Sequence, residues 1–251
     1  MAVLPPNGSS LSPVRSVAAG LAQLFTLVVC LAQFIGISAI AQERERLAIN
    51  AVLSAGVDSS HMRAELLSEH SYLVAGRVLP LALRLQPDEG WHTYWRNPGD
   101  TGLEARLNWQ LPEGFRAGEI EWPIPQRIDY AGLTSFGHHA DTWLLIPVAI
   151  PGQVQLNQLA QQSPDGLVRL RAHAKWLVCE EVCIPGEGDF ELALPVAESA
   201  NQPNLVNESL RDDFALARMA MPKQLDGAPA VFSTNQQIEV QLPLQNLPCL
   251  L

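Results

Sequence analysis

Two cysteines four positions apart are the residues of this 251-residue chain whose type and spacing best suit a reaction: Trp176-Leu177-Val178-Cys179-Glu180-Glu181-Val182-Cys183-Ile184-Pro185-Gly186. Paired thiols at that spacing can close a small ring, hold a soft metal ion or exchange with a disulfide in another molecule. As a staple the ring is weak, since chain entropy gives roughly 2 kcal/mol for about five residues against about 3 for fifteen. A weak bridge beside a turn favours a redox role over a structural one. The pattern is not Cys-x-x-Cys, and no helix start follows to lower a thiol pKa, so the chain is not itself a thioredoxin-type fold. Glu180 and Glu181 disfavour thiolate, and the nearest cation along the strand, Lys175, lies about 13 Å from Cys179 at 3.3 Å per residue. Such thiols are sluggish towards chance disulfides and react when a partner supplies the polarising groups.

A strand and a turn must hold the pair. From Val168 to Val178 the apolar Val168, Leu170, Ala172, Ala174, Trp176 and Val178 alternate with Arg169, Arg171, His173 and Lys175. That period of two predicts a strand with one face in water. Ile184-Pro185-Gly186 signals a turn, and Phe190-Glu191-Leu192-Ala193-Leu194 alternates again, so the cysteines sit near a hairpin tip. Further strands are expected at 72–79, 81–85, 107–109 and 143–150, with a turn at Pro112-Glu113-Gly114. Their even spacing, with no helical crossovers, predicts an all-β, antiparallel sandwich over residues 71–200, preceded by a lead-in at 42–70. Residues 201–225 change character. Asn204 can cap a short helix with Leu210, Phe214 and Ala217 on one face, and Pro222 stops it. The strand-like stretches 231–233 and 238–242 then read as the start of a second β domain, at 226–251, that is cut short.

Lys+Arg 16 against Asp+Glu 26 leaves a net charge of −10, which repels phosphate backbones and argues against nucleic acid as a partner. Residues 1–41 hold no acid and a single basic residue, Arg15, with an apolar run from Val17 to Ile40 that ends Ser38-Ala39-Ile40-Ala41. This predicts a secretory signal peptide cleaved after Ala41, with an uncleaved anchor as the alternative. Cys30 would leave with it. Export puts Cys179, Cys183 and Cys249 in an oxidising compartment, where a spare pair rarely stays reduced. Cys249 reads as a remnant of the truncated domain.

Other candidates are weaker. Tyr94 and Trp95, in Trp91-His92-Thr93-Tyr94-Trp95, could shield the cysteines or shape a partner surface, whereas Trp109, Trp122, Trp143 and Trp176 read as core. His138-His139-x-Asp141 could ligate a metal, but adjacent histidines on an extended chain point to opposite faces. Cys179 and Cys183 could hold Cu(I), although there is no methionine-rich tract. No Gly-x-Ser-x-Gly, His-Glu-x-x-His, phosphate loop or dinucleotide fingerprint is present. No metal or cofactor is therefore expected.

The cysteine segment, together with Gly90-Trp91-His92-Thr93-Tyr94-Trp95-Arg96-Asn97-Pro98-Gly99-Asp100-Thr101-Gly102, resembles the amino-terminal periplasmic domain of the DsbD family of thiol:disulfide interchange proteins, in a branch like the suppressor-of-copper-sensitivity proteins. Leu111-Pro112-Glu113-Gly114-Phe115 and Trp122-Pro123-Ile124-Pro125 fit the same pattern. The resemblance implies an immunoglobulin-like domain whose one reversible pair, Cys179 and Cys183, takes electrons from a membrane-embedded thiol relay or thioredoxin-like donor domain. It would pass them to oxidised periplasmic thioredoxin-fold proteins, with Cys183 forming the mixed disulfides. The family's membrane part and thioredoxin-like domain are not in this sequence, so the isolated chain is expected to lack an electron source. The alternative is a non-catalytic sandwich that binds protein or copper, with 179–183 a structural pair.

Overall fold

The computed structural model describes residues 56–201 and 206–223, and the backbone of 230–234 and 237–241. The expected signal peptide, Cys30, Asn204 and Cys249 lie outside the described residues. In chain order the elements are β1 (Val57–Ser59), β2 (Met62–Ser68), β3 (Val78–Pro87), β4 (Thr93–Gly99), β5 (Arg106–Gln110), β6 (Arg116–Ala117), β7 (Gln126–Tyr130), β8 (Leu133–His138), β9 (Thr142–Ala149), α1 (Gln153–Gln162), β10 (Leu167–Cys179), β11 (Cys183–Pro195), α2 (Arg211–Met219), β12 (Ala230–Thr234) and β13 (Gln237–Gln241).

The strands form a five-stranded sheet in the order β1-β2-β3-β9-β6, a three-stranded sheet β11-β10-β5 and a three-stranded sheet β4-β8-β7. All named pairings are antiparallel. Leu66, Leu81, Leu83, Leu144 and Ile146 from the first sheet merge with Leu170, Trp176 and Leu192 from the second in one buried cluster. This is the antiparallel β-sandwich that the even strand spacing predicts, and immunoglobulin-like as the family resemblance implies. β12 and β13 pair with each other.

β10 follows its sequence pattern residue by residue. Val168, Leu170, Ala172, Ala174, Trp176 and Val178 are buried. The outward cations are paired, Arg171 with Glu191 at 2.6 Å and Lys175 with Glu187 at 3.3 Å. β11 runs beside it for its whole length, from Leu167↔Pro195 to Cys179↔Cys183.

The structure differs from the sequence reading in several places. Ile184-Pro185-Gly186, expected as a turn, lies within β11 and pairs with Val178, Leu177 and Trp176, because the chain already reverses at Glu180-Glu181-Val182. The expected strands 72–79 and 81–85 are one strand, β3, that starts at Val78 after a turn at Gly76. Pro80 sits inside it, opposite Pro147 of β9. Both prolines turn their missing N–H away from each other: the Pro80 carbonyl accepts from Glu69 N on one side, and that of Pro147 from Gly118 N on the other. Residues 62–68, read as lead-in, form β2, where Leu67 and Ser68 are buried next to each other and blur the alternation. α1 occupies the β9–β10 connection, where no helix is expected; Leu156 is its one buried residue, too few to mark a face. α2 is shorter than the predicted helix; Phe214 and Ala217 in it, and Leu210 just ahead of it, are buried as expected. The Phe214 ring meets Trp143 of β9 edge-on at 5.4 Å, and Arg218 pairs with Glu69.

Candidate functional site

The last rung of the β10–β11 ladder carries the two cysteines. Cys179 and Cys183 form a disulfide, with Cα atoms 4.1 Å apart and Glu180-Glu181-Val182 closing the turn. Two antiparallel runs of alternating residues, opposed in register, deliver both sulfurs to one face of the sheet. Their surroundings differ. Cys179 is 1% exposed, whereas Cys183 stands in solvent.

The burial of Cys179 comes from the approach of β4. His92, just ahead of that strand, donates its N–H to the Cys179 carbonyl at 2.8 Å and accepts the Cys179 N–H at 3.0 Å. The reach to this point starts at Gly90, with φ +87°, where a Cβ would stand 2.9 Å from Glu180 Oε1. Trp91 anchors the segment, stacked on His61 at 4.0 Å between ring centres.

Two residues beyond His92, the Tyr94 hydroxyl lies 3.7 Å from Cys183 Sγ and donates to it. Tyr94 is 4% exposed, and burial raises its pKa, so the phenol keeps its proton. Gly102 makes the seat for the ring: its φ is +99°, and a Cβ there would stand 2.2 Å from Tyr94 Cε1. His92 meets the other side of the ring at 5.2 Å, edge-on. Burial, and to a lesser extent His139 nearby, lowers the His92 pKa, so its imidazole is neutral near pH 7.

Of the candidate residues, Cys179, Cys183 and Tyr94 come together. Trp95 does not join them, because consecutive residues of β4 face opposite ways; it packs half-buried on the core with Arg96 over its ring at 5.1 Å. The two adjacent histidines also diverge. His138 is buried, with its pKa lowered to about 4 by desolvation, while His139 is exposed and turns its ring to His92 at 5.2 Å. Among the described residues no group of three His, Cys, Asp or Glu side chains could hold a metal ion. Sequence reasoning assigned no role to His92 or Gly102. The signal for both was the period of two through 91–95, which sets His92 and Tyr94 on one side, and the turn glycine after Asp100-Thr101.

The N-terminal domain family of the thiol:disulfide interchange protein DsbD matches residues 63–195, just over half of the chain. The chain belongs to that family. Family membership makes it a thiol:disulfide interchange domain, and the Cys179–Cys183 disulfide fits that class of chemistry. Among solved structures, the N-terminal periplasmic domain of ScsB from Proteus mirabilis is similar at 19% identity and a TM-score of 0.52, over 74% of this chain and 67% of that one. At that identity the likeness concerns the fold, and it agrees with the sandwich described above. The GAE domain of yeast GGA1 aligns at 12% identity over 57% of this chain and 99% of that one; its TM-score of 0.30 is too low to bear on the fold. No curated protein sequence matches the chain. Among the described residues, no helix is long and apolar enough to cross a membrane.

Proposed function

We propose that this DsbD-family domain is a periplasmic electron relay, which accepts electrons from a membrane-embedded or thioredoxin-like dithiol and uses them to reduce disulfides in other exported proteins. The supporting observation is the asymmetry of the pair: one sulfur in solvent, the other buried behind His92. An incoming donor thiolate reaches Cys183 Sγ, forms the mixed disulfide and expels Cys179 as thiolate. The donor's second thiol then releases Cys183, so two electrons have entered and the donor leaves as a disulfide. In the forward half-reaction the Cys183 thiolate attacks the substrate disulfide. Cys179, already opposed to it in register, attacks Cys183 Sγ and frees the substrate as a dithiol, while its two leaving sulfurs collect the two protons the cysteines gave up. Tyr94 assists both halves, since a protonated hydroxyl beside Cys183 donates to the sulfur as negative charge develops on it.

The test is trapping with a purified, oxidised thioredoxin-fold protein. Cys179→Ser should accumulate a mixed disulfide at Cys183, because the resolving thiol is gone, and Cys183→Ser should accumulate far less. Equal adducts on both variants would remove the assigned roles. A wild-type bond that resists reduction to about −300 mV or below would make the pair a structural staple instead.

A further inference from the structure

We infer that Glu180 and Glu181 set the partner specificity of this exchange, selecting sulfur partners that carry positive charge beside the reacting atom. The inference rests on the reading of Cys179 and Cys183 as the exchanging pair. Other carboxylates along this sheet are matched with cations: Glu104, just ahead of β5, with Arg106 at 2.7 Å, Glu187 with Lys175 at 3.3 Å and, farther down the ladder, Glu191 with Arg171 at 2.6 Å. Glu180 and Glu181 are exposed, and among the described residues neither has an ion-pair partner. Two uncompensated negative charges thus stand between the cysteines themselves, well within the roughly 8 Å over which salt leaves a field unscreened.

The surface next to them is largely apolar, and its charged residues, Glu104 with Arg106 and Lys175 with Glu187, are already paired with each other. Val182 of the turn is 64% exposed and Leu103 59%. A cleft of about 590 Å³ runs beside Leu103, Leu177 and Pro185. Leu177 and Pro185 are register partners two residues from Cys179 and Cys183, so they share the face of the sulfurs. Any partner that brings a sulfur to Cys183 must cover this shelf and face these carboxylates. The chemistry that fits is a redox protein with a lysine or arginine beside its cysteine and an apolar side chain next to it. Its cation acts twice. It speeds encounter with the negative tip, and it offsets the repulsion between the two glutamates and the negative charge that develops on sulfur during exchange.

The experiment uses the full chain, reduced and freed of reductant, and three small disulfides: cystamine (cationic), dithiodiglycolate (anionic) and hydroxyethyl disulfide (neutral). In each case Cys183 thiolate attacks one probe sulfur and expels one thiol. Cys179 then attacks Cys183 Sγ, expels the second, and the protein becomes the disulfide while two probe thiols are formed. The rate is read at the Cys179–Cys183 peptide by quenched alkylation and mass spectrometry. The quantity of interest is the cystamine-to-dithiodiglycolate rate ratio, in which the thiolate fraction cancels. In Glu180→Gln/Glu181→Gln, and in wild type at high salt, that ratio should fall by about tenfold from its low-salt wild-type value. A ratio unmoved by both would overturn the inference while leaving the exchange reading intact. Failure of the neutral probe to oxidise the pair at all would strike the exchange reading itself.

Discussion

Reducing the Cys179–Cys183 bond should lower the stability of the domain by about 2 kcal/mol and leave it folded. The magnitude follows from the ring: for about five residues the loop-closure entropy is about −7 cal/mol/K, or about 2 kcal/mol at 25 °C. The native state has little to add. Every β10 residue below the cysteines is already paired with β11, and Cys179 is held on its other side by both hydrogen bonds to His92. Opening the bond therefore frees two side chains and no strand, and the change lies almost wholly in the unfolded chain. Because about 1.4 kcal/mol corresponds to 30 mV for a two-electron couple, folding should shift the pair's potential by only about 45 mV from that of the same cysteines in the unfolded chain. Urea unfolding of the oxidised protein and of Cys179→Ser/Cys183→Ser, followed by tryptophan fluorescence, measures the difference directly. A loss above about 4 kcal/mol, or collapse of the near-ultraviolet circular dichroism on reduction, would show that the bond supports the fold, and the argument from ring size and register would fail.

Gly102→Ala should cost about 2–4 kcal/mol, from a left-handed backbone and a Cβ driven into the Tyr94 ring; it should also change the alkylation rate of reduced Cys183, and an unchanged rate would separate Tyr94 from the sulfur. Phe214→Ala should destabilise by about 3–5 kcal/mol in urea, because the ring is fully buried between α2 and Trp143; a loss under about 1 kcal/mol would mean that α2 is dispensable. His138 has a folded pKa of about 4, so the folded state refuses a proton that the unfolded chain accepts below 6.5. Its contribution is therefore absent above pH 6.5 and destabilises increasingly towards pH 4, by about 2–3 kcal/mol at pH 4.5. His138→Phe should flatten the difference in unfolding free energy between pH 7 and 4.5 by that amount, and an unaltered pH profile would refute it.

The parts of the fold that were legible in the sequence are those with one wet face. β10 shows its pattern because Arg169, Arg171, His173 and Lys175 stand in water while their neighbours are buried, so composition and periodicity agree. β3 was split in two at Pro80, since a proline reads as a strand breaker unless its orientation is known, and orientation depends on which neighbouring strand supplies the partner for each carbonyl. α1 was missed because a helix lying on a sandwich with one buried leucine needs little hydrophobicity of its own. At the site, that Cys179 and Cys183 lie close enough to bridge was legible from their spacing and the flanking strands. The choice between Tyr94 and Trp95 was not: alternation says that they diverge, but which one meets the sulfur depends on where β4 lands against the cysteine hairpin, a contact between residues 89 positions apart.

The ladder that carries the cysteines also sets a distance. At about 3.3 Å per residue, the 13 residues of β10 span about 40 Å. The sulfurs occupy one end of that arm, and the chain leaves β11 for α2 at the other, beyond Pro195. That far end is tied down: Ala197 N donates to the Leu73 carbonyl, and beyond it Phe214 of α2 meets Trp143 while Arg218 pairs with Glu69. The chain's return onto the sandwich and the exposed sulfur are therefore separated by the full length of the ladder, so a change in one of them need not strain the other.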